Sequence, residues 1–142
     1  MRDELQRRCQ IIEESYEFML AYAAQGLPGD AGSPSGGQLR EFLGRSASAL
    51  SDLGDLFLAL VNQGGLEPAA PYRAYHPVLD RDARDALAAI ALVLAQPSIS
   101  SQVVDNLNAS VHLRALLTDL FLIDEILGAQ PPAADPEAKQ QQ

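Results

Sequence analysis

Tyr72, Arg73, Tyr75 and His76 place two phenols, a guanidinium and an imidazole within five residues, the most chemically varied stretch of the chain. Such a set suits an anionic or planar ligand, because a guanidinium pairs with carboxylate or phosphate while aromatic faces stack. The stretch belongs to 66–78, LEPAAPYRAYHPV, whose three prolines predict a crossing loop rather than a regular helix. Loops on rigid scaffolds often carry recognition. Tyrosines between prolines also serve as apolar cover, and a lid over the open end of a helical bundle is the plainer expectation. General acid-base work by His76 needs a nucleophile in reach, and none is paired with it in the sequence, so no catalytic residue is assigned. Arg7 and Arg8 join the candidate set because the expected chain tracing brings the start of the first helix to the same end of the bundle.

The remaining reactive groups carry less. His112, two residues before Arg114, could accept a phosphoryl group, which gives a histidine phosphotransfer-like signalling domain as one functional alternative. However, the run Ser110-Val111-His112-Leu113-Arg114-Ala115 lacks the His-x-Leu-Lys-Gly pattern of such modules. Glu13, Glu14 and Glu17 invite comparison with carboxylate-bridged metal bundles, which need Glu-x-x-His pairs that are absent here. No metal ligand and no cofactor are therefore expected. Cys9, the only cysteine, excludes an intramolecular disulfide and is expected to be a buried, inert thiol.

The elements that must position these groups are helices. Apolar residues recur at alternating steps of four and three in Leu5, Cys9, Ile12, Tyr16, Met19 and Ala23. They do so again in Leu39, Leu43, Ser46, Leu50, Leu53, Phe57 and Leu60, and in Asn106, Ala109, Leu113, Leu116, Leu120, Ile123 and Leu127. Each row lies on one helical stripe and demands shelter against other helices. The spacing predicts helices over about 3–25, 35–63, 80–96 and 100–128. Ser35 and Gln38 read as a capping box for the second, Asp80 as the N-cap of the third, and Gly26 and Gly64 as stops. The fold class is all-α, an antiparallel four-helix bundle of up-down-up-down topology. Residues 1–128 form one domain, 27–37 a flexible loop, and 129–142 a disordered tail without apolar period.

Gly44, Ala47, Ser51 and Gly54 form a second, small-residue stripe that predicts close approach by another helix, within the chain or from a second copy. The last helix carries apolar residues well beyond its seam, including Leu117 and Phe121, and two-fold self-association would cover them. With 142 residues and a formal charge of −9, the chain is large enough for a single core and repels phosphate backbones, which argues against nucleic-acid partners. Neither a secretory h-region nor an apolar run of membrane-spanning length is visible, so a cytoplasmic location without membrane partners is expected. The excess of arginine over the single lysine, Lys139, and the abundant alanine point to a GC-rich bacterial genome. The expected function is a non-catalytic helical interaction module, an accessory or assembly factor acting as a homodimer on another protein. The alternative to that reading is a small-molecule-binding bundle using the 66–78 loop.

Overall fold

The computed structural model describes residues 1–130, and within them the chain is all-α, with no strand. The proposed tail lies outside the described residues, apart from Ala129, which closes the last helix, and Gln130, which caps it. Six helices follow one another: α1 (Arg2–Ala24), α2 (Pro34–Leu50), α3 (Leu53–Gln63), α4 (Ala69–Leu94), α5 (Ser101–Ala109) and α6 (Val111–Ala129).

Two expected helices are broken. The second stops at Ser51, which is extended, and restarts after Asp52, whose φ of 58° is left-handed. Arg8 spans that break, donating to the Ser51 carbonyl at 2.9 Å and to Asp52 Oδ1 at 2.6 Å. The last stops at Ser110, also extended, whose Oγ accepts from the backbone N–H of Leu113 and so caps α6. This break shifts the apolar phase. Asn106 and Ala109, expected on the seam, are exposed, whereas Val104, Leu107 and Asn108 are buried; the seam from Leu113 to Leu127 holds.

The proline-rich crossing loop is mostly helix. α4 begins at Ala69, so Pro68 precedes it and Pro71 falls in its first turn, where an N–H would have no intrahelical acceptor. Only Pro77 removes a ladder hydrogen bond. Burial of Leu79 and the packing of Tyr72 and Tyr75 against the core offset that loss. Asp80, read as an N-cap, therefore lies within the helix. At the start of α2 the capping residue is Ser33, whose Oγ accepts from Gly36 N, in place of Ser35.

α1 and α4 each pack against α2, α3, α5 and α6. Leu5, Ile12, Met19, Tyr22, Leu39, Leu43, Leu53, Phe57, Leu79, Ile90, Leu116 and Leu120 fill the shared core. Cys9 is buried among them, and burial pushes its thiol up to about 12, which leaves it protonated and unreactive.

At Gly54, α3 and α4 approach closely. A Cβ at this position would collide with Asp80 Oδ1 and lie 2.6 Å from the Asp80 Cβ, so the Asp80 side chain occupies the place a larger residue would need. Gly54→Ala is expected to destabilise the protein by about 1–3 kcal/mol, overpacking outweighing the gain of roughly 1 kcal/mol in helix propensity. Urea denaturation measures it; a variant as stable as the parent would mean the helices separate at no cost.

Candidate functional site

Tyr72 and Tyr75 line an apolar groove of about 340 Å³. Its other walls are Phe57 of α3, Pro68 and Pro71 at the start of α4, and Leu122, Ile123, Ile126 and Leu127 of α6. Three helices build it because Phe57, Ile123 and Leu127 each sit on the buried stripe of their own helix, while Leu122 and Ile126, one turn apart, remain 48 % and 39 % exposed. Phe121, on the same helix, is 54 % exposed.

The expected companions of the two tyrosines separate from them. Arg73 is exposed on α4 and does not line the groove. Arg7 and Arg8 are held by Glu4, and Arg8 also by the α2–α3 break. The arginine that reaches this end of the fold is Arg2, which donates to the carbonyls of Leu127 and Gln130. Gln130 Nε2 in turn donates to the Tyr72 hydroxyl, so the end of α6 is tied to the groove wall. His76 turns to another neighbourhood: one of its ring nitrogens lies within 4.8 Å of carboxylate oxygens of Asp55 and Asp80. His112 is exposed near the start of α6.

The small-residue stripe is divided between environments. Gly54 is closed off by Asp80, Gly44 has open space above it, Ala47 is half-buried and Ser51 exposed. Leu117 is buried in the core of the single chain, and of the two apolar residues singled out on the last helix only Phe121 faces outward.

Beneath the groove lies a polar cluster that the sequence reading does not contain. Tyr75 Oη donates to Asp119 Oδ1 at 2.5 Å, joining a groove-lining ring to a carboxyl that is only 5 % exposed. Asp119 Oδ2 is buried without a hydrogen-bond partner. Burial, followed by the neighbouring Asp82 carboxyl, pushes the Asp119 carboxyl up to about 7 against the opposing hydrogen bond from Tyr75. Two carboxyls facing each other cannot both ionise cheaply, so Asp119 retains a proton far into the range where an ordinary aspartate has lost it. Burial also raises the Tyr75 phenol, which stays a donor at physiological pH. A sequence signal for this cluster exists: Asp119 stands three residues after Leu116 and four before Ile123, inside the buried stripe of α6.

The groove therefore offers carbon surface and two phenol rings, without a paired nucleophile or base on its walls. That composition suits binding apolar groups. In comparisons with family models, curated proteins and solved structures, the chain shows no match.

Proposed function

We propose that the chain is a non-catalytic binding module, an accessory or assembly factor, whose groove receives apolar side chains from an amphipathic helix of another protein. The observation that carries this reading is the outward Phe121, Leu122 and Ile126 beside a concave apolar wall. Leu122 and Ile126, at i and i+4, match the spacing at which a docked helix presents its own anchors. Exposed apolar surface of this kind on a folded chain commonly marks an interaction site.

A formal charge of −9 favours a partner helix carrying Lys or Arg beside its apolar face. Two copies of this chain repel each other, so the homodimer through α6 takes second place to a basic partner. In this reading the scaffold is an antiparallel four-rod bundle, α2–α3 and α5–α6 each serving as one broken rod between α1 and α4, in a bacterial cytoplasmic setting. A small apolar ligand is a further reading, favoured by the groove volume of about 340 Å³ and by the two phenol walls.

A photo-crosslinking side chain placed at Ile126 tests the proposal in the native host. The expected product is an adduct with a different protein, attached on a basic amphipathic helix. With that partner isolated, Leu122→Glu is expected to weaken binding more than about tenfold, since it places a charge in a desolvated apolar contact. Adducts with a second copy alone would replace this reading by the homodimer, and adducts with a small molecule by the ligand site.

A further inference from the structure

We propose that Asp55, His76 and Asp80 form a three-ligand site for a first-row divalent ion of the zinc class, joining α3 to α4. Among the described residues these three bring one ligand atom each to within 4.8 Å of one another. A tetrahedral ion with bonds of about 2.0–2.1 Å spaces its donors roughly 3.4 Å apart, so a side-chain rotation of Asp55, which is exposed, closes the set. His76 and Asp80 stand one helical turn apart on α4, the spacing at which two side chains on a helix converge on one ion.

Two further observations are independent of that clustering. His76 Nε2 is shut off from solvent and has no hydrogen-bond partner, which is a cost unless a ligand or proton acceptor meets it. Gly54 leaves the gap that Asp80 fills, and that gap is what allows a carboxylate of α4 to approach Asp55, the next residue of α3. Arg84 Nε pairs with Asp80 Oδ2 at 3.0 Å, leaving Oδ1 to ligate. The two carboxylates neutralise a divalent charge. The imidazole selects against calcium and magnesium, which prefer all-oxygen sets, and in favour of zinc, nickel or cobalt. Three protein ligands leave the remaining positions to water.

Zn²⁺ titration of the intact chain, followed by calorimetry and by imidazole nitrogen NMR, tests the site. One ion per chain should bind, shift the His76 ring and leave His112 unchanged, while Mg²⁺ and Ca²⁺ at the same concentration produce neither effect. Asp55→Asn, at an exposed position that the fold tolerates, should weaken Zn²⁺ binding at least tenfold, and His76→Ala should abolish it. The His112→Ala variant should bind as the parent does. Equal perturbation of both histidines, unchanged affinity in Asp55→Asn, or equal binding of Ca²⁺ would each overturn the proposal.

Discussion

Asp119→Asn is expected to stabilise the protein at pH 8 and to change its stability little at pH 4. In the folded chain the Asp119 carboxyl is pushed up to about 7, by burial and by Asp82, while an unfolded aspartate titrates near 4. Between those two values the folded state keeps a proton that the unfolded state has released. Stability from this group is therefore complete below about pH 4 and declines as pH rises through 7. At roughly 1.4 kcal/mol per pH unit, the cost of ionising Asp119 in its buried site above pH 7 is on the order of 2–4 kcal/mol. The D119N side chain avoids it. Its amide oxygen can still accept from Tyr75, and its N–H can donate toward Asp82. Urea unfolding of parent and variant at pH 4, 6 and 8 should give a difference that grows with pH. A difference independent of pH, or a variant less stable at pH 8, would remove the retained proton from the account.

The same substitution bears on the groove. Tyr75 lines it with its ring and anchors itself by its hydroxyl on Asp119, so the wall is held from behind by a group that titrates near neutrality. An amide in place of that carboxyl would hold the ring at every pH. Tyr75→Phe, by contrast, removes the donor that Asp119 Oδ1 accepts from and is expected to loosen the wall.

What is legible in the sequence follows from spacing. Leu5, Cys9, Ile12 and Met19, the row from Leu39 to Leu60, and the row from Leu113 to Leu127 are all inside, since a stripe of apolar residues has only one favourable place to go. The breaks at Ser51-Asp52 and Ser110 escape that reading for a physical reason: one or two non-helical residues leave apolar residues at helix-like spacing on both sides, even where the phase shifts, as it does before Ser110. The capping serine at 110 is the available sign, because it satisfies the Leu113 N–H that a new helix start leaves open. The three prolines of 66–78 are not equivalent, since position relative to the helix start decides whether a proline removes a hydrogen bond.

Of the candidate site, Tyr72 and Tyr75 are identifiable because aromatic rings of that density need either cover or a ligand. Their partners in the groove are not. Phe57, Leu122 and Ile126 read as ordinary seam and flank residues, and their convergence depends on how α3, α4 and α6 pack, which local pattern does not encode. Arg2 rather than Arg7 or Arg8 meets the end of α6 for a similar reason: it stands at the start of α1 and donates to the Leu127 carbonyl, whereas Arg8 stands farther along α1 and faces Asp52.

At the opposite end, the segment expected to be a flexible loop carries a charged clasp, and removing Asp30 is expected to loosen that whole end of the fold. Asp30 Oδ2 accepts from Arg40 Nε at 2.5 Å, and Oδ1 accepts from the backbone N–H of Ile99 at 2.7 Å. Arg40 also donates to the carbonyls of Leu94 and Gln96, so one carboxylate links 27–37, α2 and the end of α4. The Arg40 guanidinium, followed by the Ile99 N–H, holds the Asp30 carboxyl down to about 2. A depressed carboxyl stabilises the fold above the unfolded value near 4, and that contribution is lost as pH falls from 4 through 2. Asp30→Ala leaves the Ile99 N–H in a buried setting without its acceptor and removes a charge-assisted bond to Arg40, a loss of about 2–4 kcal/mol. Asp30→Asn keeps an acceptor for Ile99 and should lose about half as much. Hydrogen exchange locates the effect: Ile99 N–H, and Ser101 N–H bonded to the Leu27 carbonyl, should lose protection in the alanine variant well before the amides at the centre of α4. Unchanged protection at Ile99 would show that this end is held without Asp30, by the Tyr22 hydroxyl on the Ile99 carbonyl, the Ser101 hydroxyl on the Tyr22 carbonyl and the Leu27 N–H on the Ser101 hydroxyl.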